Sequence, residues 1–319
     1  MIGFDIGGTK CAVCLGQEKD GILHILDKKT ISTDHTASPY EMIERMYELA
    51  KEMTDCVDCI GISCGGPLNA KTGVIQSPPN LPGWDNVEIV TYLEKKYNVK
   101  AYLQNDANAC AIAEWLYGAG KGCSNMIFLT FGTGMGAGLI LNGQLYAGTS
   151  DMAGEIGHVR ISDYGPVGYG KVGSFEGFCS GGGLAQIGQI MAREKYQMGQ
   201  KVSYCEGMNQ LSEITAKKIA ECAFRGCEDA QEVYRLCGEI LGKGLSILID
   251  ILNPECIVLG SVFQRSGELL RPAMEKVINE ECLPSARSVC KILPALLEEN
   301  IGDYAALAVA VMGHKQKNK

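Results

Sequence analysis

Positive charge is scarce in this 319-residue sequence: 29 Lys and Arg stand against 37 Asp and Glu, a formal net charge of −8 at pH 7. The basic face that neutralises nucleic-acid phosphates is therefore missing, and no nucleic-acid partner is expected. Anionic small molecules are not excluded, because a ring of backbone N–H groups can hold phosphate inside an acidic protein. Long apolar runs are missing too. None approaches the roughly 20 residues that cross a bilayer, and no signal peptide precedes the first expected strand, so a cytoplasmic protein without membrane contact is expected. There is no low-complexity tract or long linker, which leaves two domains expected to touch and hinge. With 46% hydrophobic and 21% charged residues, the chain is globular in composition.

Cysteine, by contrast, is abundant, with fifteen residues. They are scattered, and Cys14, Cys64, Cys110 and Cys256 fall in apolar segments, as small buried hydrophobes do. Cys11/Cys14 and Cys56/Cys59 have CxxC spacing, which raises zinc or redox chemistry. The first pair lies in an expected strand, however, where residues i and i+3 point to opposite faces. Reduced thiols in a reducing cytosol are expected.

Neither nucleotide motif that rests on a helix is present. A dinucleotide fingerprint needs strand, glycine turn and helix, and a P-loop needs GxxxxGK[ST] before a helix. Here Ile2–Asp5 is an expected strand, Gly7-Gly8 a turn, and Cys11–Leu15 a returning strand. Ser38 as N-cap, Pro39 at N1 and Glu41 in a capping box predict a helix over Pro39–Met53, with Met42, Ile43, Met46, Leu49 and Met53 on one face. Strands are expected at Cys59–Ser63, Val99–Leu103, Met126–Thr130, Ala137–Leu141 and Cys256–Leu259. Helices are expected at Val87–Tyr97, Ala107–Leu116, Ala216–Phe224, Gln231–Leu252, Leu269–Asn279 and Tyr304–Met312. Leu81-Pro82-Gly83-Trp84 is a loop, and Asn142-Gly143 is a two-residue hairpin signal. This alternation predicts α/β sheets. "FDIGGTKCAVCL" and "LTFGTGMGAGLIL" share one plan: apolar strand, polar residue, Gly/Thr turn, returning strand. Two related halves facing a cleft are the expected architecture.

A Gly/Thr turn lets backbone N–H groups approach phosphate oxygens, and the hydroxyl adds a donor. Asp5 at the strand end could hold Mg²⁺ through water. One such turn is as well read as a plain hairpin; the matching second turn favours phosphate. Asn105-Asp106 sits between strand and helix, where either residue could simply cap the helix. A carboxylate at a strand's C-terminal end can also accept the proton of a hydroxyl attacking ATP. Glu155 and His158, three residues apart in "GEIGH", and Glu176 suit a neutral sugar, whose hydroxyls donate and accept in turn. A helix-turn pair and a surface glutamate explain the same spacing.

Taken together, the motifs resemble the ROK family of sugar kinases and sugar-responsive repressors over nearly the whole chain. "DIGGTK" (Asp5 to Lys10) is similar to the family's first phosphate motif, "ND" (Asn105-Asp106) to its catalytic pair, and "TFGTGMGAG" (Thr130 to Gly138) to its second phosphate motif. "GEIGH" with Glu176 is similar to its sugar signature, "PNLPGW" (Pro79 to Trp84) and "GGP" (Gly65 to Pro67) to its sugar-facing loops, and "NPECIVLGS" (Asn253 to Ser261) to its adenosine-side segment.

The resemblance implies a two-domain actin/hexokinase-like (ribonuclease H-like) α/β fold with a cleft. It divides the chain into residues 1–108 plus a C-terminal helix at about 298–319, and residues 109–297. It further implies an ATP-dependent sugar kinase acting on a hexose hydroxyl, glucose C6 first, with N-acetylmannosamine, fructose or allose as alternatives. Asp106 is then the base. Gly66, Asn80, Asn105, Asp106, Glu155, His158 and Glu176 hold the sugar. Asp5, Gly7, Gly8, Thr9, Lys10, Thr130, Gly132, Thr133, Gly134 and Gly260 hold ATP, with Mg²⁺ as cofactor. A homodimer is implied.

One departure is specific. Many members carry a zinc site in a pattern like CxCGxxGCxE, with the histidine as fourth ligand. Here the ligand positions are Gly168, Gly170 and Ser174, so no structural zinc is expected. A repressor would need a helix-turn-helix, and the first phosphate strand begins at Ile2, which argues against one. A non-catalytic sugar-binding regulator is the alternative from another class, and intact Asp106 and both turns speak against it.

Overall fold

The computed structural model describes residues 1–297 and 300–317. β1 (Ile2–Ile6) and β2 (Lys10–Lys19) form the expected hairpin about Gly7-Gly8, and β3 (Ile22–Ser32) adds an antiparallel edge strand. α1 (Pro39–Met53) opens on the expected capping box. The Glu41 N–H donates to Ser38 Oγ (3.3 Å), and the Ser38 N–H donates to the Glu41 carboxylate (2.7 Å). Then come β4 (Cys59–Cys64), the short pair β5 (Leu68–Asn69) and β6 (Val74–Ile75), α2 (Ile89–Tyr97), β7 (Lys100–Asn105) and α3 (Asp106–Tyr117). Helix α2 starts two residues later than expected because Val87 bridges to Ile75 instead.

The first sheet has order β3-β2-β1-β4-β7, with β1, β4 and β7 parallel. Its register pairs Ile6 with Cys64 and Cys64 with Asn105. The glycine turn, Gly65-Gly66 and Asp106 therefore leave one edge of the sheet side by side, at the carboxyl ends where α/β sheets bind ligands. Gly61 has no Cβ because one would collide with Ala306 and Ala310 of the last helix, so that helix lies directly on the sheet. The core beneath holds Ile2, Phe4, Met42, Ile43, Met46, Ile60 and Ile62, all fully buried.

β8 (Met126–Leu129) precedes the second turn, and β9 (Ala137–Leu141) with β10 (Gln144–Tyr146) forms the hairpin expected at Asn142-Gly143. Both turn residues are left-handed, at φ 53° and 69°. β11 (Val167–Gly168), β12 (Lys171–Val172), α4 (Phe175–Phe178), α5 (Gly181–Gln197), α6 (Ala216–Phe224) and α7 (Glu228–Leu252) follow. β13 (Cys256–Leu259), α8 (Val262–Glu281), α9 (Pro284–Val289), β14 (Lys291–Pro294) and α10 (Ile301–Lys317) complete the chain. The second sheet has order β10-β9-β8-β13-β14, and β8, β13 and β14 are parallel. Leu129 pairs with Leu259, which sets Thr130 and Gly260 side by side.

The chain divides into two compact units. One comprises Met1–Ser124, Gly138–Ala153 and Leu296–Lys319, the other Asn125–Ala137 and Gly154–Ala295. Of the C-terminal segment expected at about 298–319, residues 298, 299, 318 and 319 lie outside the described residues. No helix among the described residues is long and apolar enough to cross a membrane. Cys14, Cys64 and Cys256 are buried, while Cys110 is only half-buried.

Candidate functional site

The expected site residues fall into two groups, one in each unit. In the first unit, Thr33 clamps the turn after β1: its hydroxyl donates to Gly7 O (2.6 Å) and its N–H to Thr9 O (3.0 Å). The Gly7 N–H donates to Lys10 O (3.2 Å). Gly8 and Thr9 keep N–H groups without a partner among the described residues, and these are free for an anion. A Cβ on Gly8 would overlap the Asn80 carbonyl oxygen and come 2.9 Å from Asn80 Cβ, so the "PNLPGW" loop rests on this turn.

Asp5, at the end of β1, is strongly perturbed. Burial pushes its pKa up to about 6; the Asp303 and Asp106 carboxylates push the same way, while Lys28 and Lys10 oppose them. Asp303, on α10, is itself buried; it accepts from Cys14 Sγ (3.2 Å) and pairs with Lys28 Nζ (2.6 Å). Asn105 does cap α3. Its Oδ1 accepts from the N–H groups of Ala107 (3.0 Å) and Asn108 (3.4 Å), which leaves Nδ2 beside Gly66, 3.2 Å from where a Cβ there would sit. Asp106 also accepts from the Ala107 N–H (2.8 Å). Its side chain reaches solvent, yet the protein around it raises its pKa through desolvation.

In the second unit the turn after β8 is closed by Thr130. The Thr130 N–H donates to Gly136 O (2.9 Å), and the Gly136 N–H donates to Thr130 Oγ1 (2.8 Å). The Gly132 N–H donates to Gly134 O (3.1 Å), the Gly181 N–H to Gly132 O and the Val262 N–H to Phe131 O (both 2.8 Å). Thr133 and Gly134 keep N–H groups without a partner among the described residues. Gly260 precedes Ser261, whose φ of 48° is left-handed and whose Oγ sits 3.5 Å from where a Gly132 Cβ would lie. A non-glycine residue at such a φ is strained and is held there by the structure around it.

Glu176 and the "GEIGH" segment pack on this turn. The Met135 N–H donates to Glu176 Oε2 (3.0 Å), and a Cβ on Gly157 would overlap the Met135 carbonyl oxygen. Glu155 and His158 are exposed at the ends of one short 3-10 turn, in which the His158 N–H donates to Glu155 O (3.1 Å).

Of the three positions aligned with zinc ligands, Gly168 and Gly170 lie in the small β11–β12 hairpin and Ser174 caps α4. Ser174 Oγ donates to Gly168 O (3.3 Å), and the Gly177 N–H donates to Ser174 Oγ (3.1 Å). Gln186 ties both backbone groups of Val167 at 2.9 Å. Lys171 Nζ donates to His158 O (2.8 Å) and Arg160 to Val172 O (2.9 Å). No group of three or more His, Cys, Asp or Glu that could hold a metal occurs among the described residues.

Three residues bearing on these groups were not legible in the sequence, Thr33, Asp303 and Gln186, nor was the backbone angle of Ser261. Each acts on a partner that is remote along the chain or through a backbone angle, so no local spacing marks it.

The model of the ROK family matches residues 1–312. The chain is 30% identical over 313 residues to the glucokinase of Thermotoga maritima, covering 97% of this chain and 96% of that one. It is 28% identical over 267 residues to the xylose repressor of Caldicellulosiruptor bescii, covering 83% of this chain but 62% of the repressor. A solved ROK family glucokinase from Streptomyces griseus, in complex with glucose and AMPPNP, superposes with a TM-score of 0.76 at 27% identity, over 98% of this chain and 99% of that one.

Proposed function

The chain belongs to the ROK family and is an ATP-dependent sugar kinase on the two-domain actin/hexokinase-like α/β fold, and from that premise we propose that it phosphorylates the C6 hydroxyl of glucose with Asp106 as general base. The observation that carries this reading is the placement of a glycine turn with two open N–H groups, Asp5 and Asp106 along one sheet edge.

In this reading Asp106 accepts the proton of the sugar hydroxyl as its oxygen attacks the terminal phosphorus and ADP departs. Desolvation makes the Asp106 carboxylate a better base than a solvated one, without removing it from solvent reach. Asn105, its oxygen committed to the helix, offers its amide N–H₂ to a sugar oxygen beside Gly66. Asn80, Glu155, His158 and Glu176 supply the other hydroxyl partners. Gly7, Gly8, Thr9 and Lys10 in the first unit, and Thr130, Gly132, Thr133, Gly134 and Gly260 in the second, are the ATP-binding residues of this reading.

The Asp5 carboxylate suits a divalent cation: burial and the neighbouring Asp303 and Asp106 charges make it costly to ionise, and Lys28 offsets only part of that. Asp5 would hold Mg²⁺ through water, and the ion would supply neutralisation of phosphate charge. A homodimer in the cytoplasm is part of the same reading.

Hydroxyl-directed contacts of this kind also suit N-acetylmannosamine, fructose or allose. The similarity to a repressor favours one reading of another class, a sugar-binding regulator without turnover. The test uses 6-deoxyglucose beside glucose. Glucose should give a phosphomonoester on C6 by ³¹P NMR, and 6-deoxyglucose should compete for binding without product. Phosphorylation of 6-deoxyglucose would remove C6 as acceptor. Sugar binding with no product from any hexose would favour the regulator.

A further inference from the structure

The Glu176 carboxylate receives the Met135 N–H, one residue beyond the open N–H groups of Thr133 and Gly134. The approach is close: a Cβ on Gly134 would stand 2.7 Å from Glu176 Oε2. Gly157 packs on the Met135 carbonyl, and its own Cβ would come 3.2 Å from Glu176 Cβ. Sugar signature and second phosphate turn are thus one packed cluster inside one unit.

Two chemistries meet there with opposite requirements. Phosphate oxygens seek the Thr133 and Gly134 N–H groups and are repelled by a carboxylate one residue away. Sugar hydroxyls donate hydrogen bonds to that carboxylate and spread its charge away from the turn. We propose that Glu176 is a coupling residue, through which a bound sugar raises the affinity of the second turn for the ATP phosphates, so that nucleotide is held tightly when an acceptor is present. The proposal rests on the kinase reading above. Coupling is reciprocal, so ATP tightens the sugar by the same factor. Its benefit is that ATP bound without an acceptor, and open to water, is disfavoured.

The test is calorimetric titration of Mg–AMPPNP into the wild type and Glu176→Gln. Each titration is made alone and with glucose, N-acetylmannosamine, fructose or allose. Glutamine keeps the acceptor oxygen and removes the charge. In the wild type, at least one sugar should tighten AMPPNP about tenfold, a typical coupling size. Glu176→Gln without sugar should bind AMPPNP about as tightly as the sugar-loaded wild type, and sugar should then add less than twofold. Equal sugar coupling in both proteins, or weaker sugar-free AMPPNP binding in Glu176→Gln, would overturn the proposal. A wild type that binds neither AMPPNP nor any of the sugars would overturn the kinase reading itself, and this inference with it. A second measurement needs no variant at position 176. With ¹⁵N-methionine labelling, and Met135→Leu to assign the peak, sugar alone should shift the Met135 amide resonance. An unmoved resonance in the presence of a bound sugar would also overturn the coupling.

Discussion

The two glycine turns share a sequence plan and differ in what holds them. The first is clamped by Thr33, on the loop just after β3, and rests on the Asn80 backbone. The second is closed by its own Thr130 and packed against Glu176 and Gly157, both remote along the chain. Their electrostatic settings differ as well. Beside the first stand Asp5, Asp106 and the buried Asp303; against the second stands Glu176. An anion held by the first turn therefore needs a cation's help, while at the second turn the opposing charge sits on a side chain that can rotate. Two loops of similar sequence thus differ in setting because their neighbours differ.

The sharpest way to break this comparison is to add the same methyl group to each turn. In Gly8→Ala the new carbon meets fixed backbone at Asn80; in Gly134→Ala it meets the far end of the Glu176 side chain. Overpacking against backbone costs about 3 kcal/mol, so Gly8→Ala should raise the KM for ATP about a hundredfold and lower Tm. Gly134→Ala should change that KM less than about tenfold, since a rotamer change relieves the contact at a cost of about 1 kcal/mol. Equal effects would show that the turns are supported alike.

Asp5→Asn probes the acidic setting of the first turn. With a folded pKa of about 6 against an ordinary value of 3.8, the folded state binds the extra proton between those values. Wild-type stability is therefore lost as pH rises from about 4 to about 6. The neutral variant escapes that penalty and should be more stable at pH 7 by up to about 3 kcal/mol, while losing activity. Chemical denaturation of both proteins at pH 4 and pH 7 reads the difference. A gap that does not grow with pH would contradict the charge crowding at Asp5.

The smallest effects separate the two threonine clamps. Thr130→Val leaves the Gly136 N–H without its acceptor and should cost about 2 kcal/mol. Thr33→Val removes one hydroxyl donor, leaves its backbone bond to Thr9 intact, and should cost about 1 kcal/mol. Midpoints in urea at constant slope give both values.

Much of this was legible in the sequence wherever the signal is local. The Ser38/Glu41 capping box fixed α1 to the residue, and Asn142-Gly143 marked the β9–β10 hairpin. Helix α6 and strand β13 stand where periodicity put them. β3 was not legible, because an edge strand with mostly exposed, charged positions lacks a buried alternation. α5 was not legible either, since it opens on Gly181-Gly182-Gly183, poor helix formers that are started by a Ser180 cap.

The site divides in the same way. Asp5, Asn105, Asp106 and the two turns announce themselves as strand-end polar residues. The effect of Asp303 on Asp5, and the contact of Glu176 with Met135, arise from packing between distant segments. The use of Asn105 as a helix cap, open from spacing alone, is now assigned to its oxygen, with the amide nitrogen left for a ligand.

The central claim is that Asp106 takes a proton from a sugar as ATP phosphorylates it. The direct measurement is ADP formation with Mg–ATP over glucose, N-acetylmannosamine, fructose and allose, for the wild type and Asp106→Asn. One or more of the sugars should raise ADP release in the wild type. The substitution should lower that sugar-dependent rate by about 10²–10⁴-fold with nucleotide affinity nearly unchanged. Sugar-dependent turnover that survives in Asp106→Asn, or a wild type in which none of these sugars raises ADP release, would contradict the account.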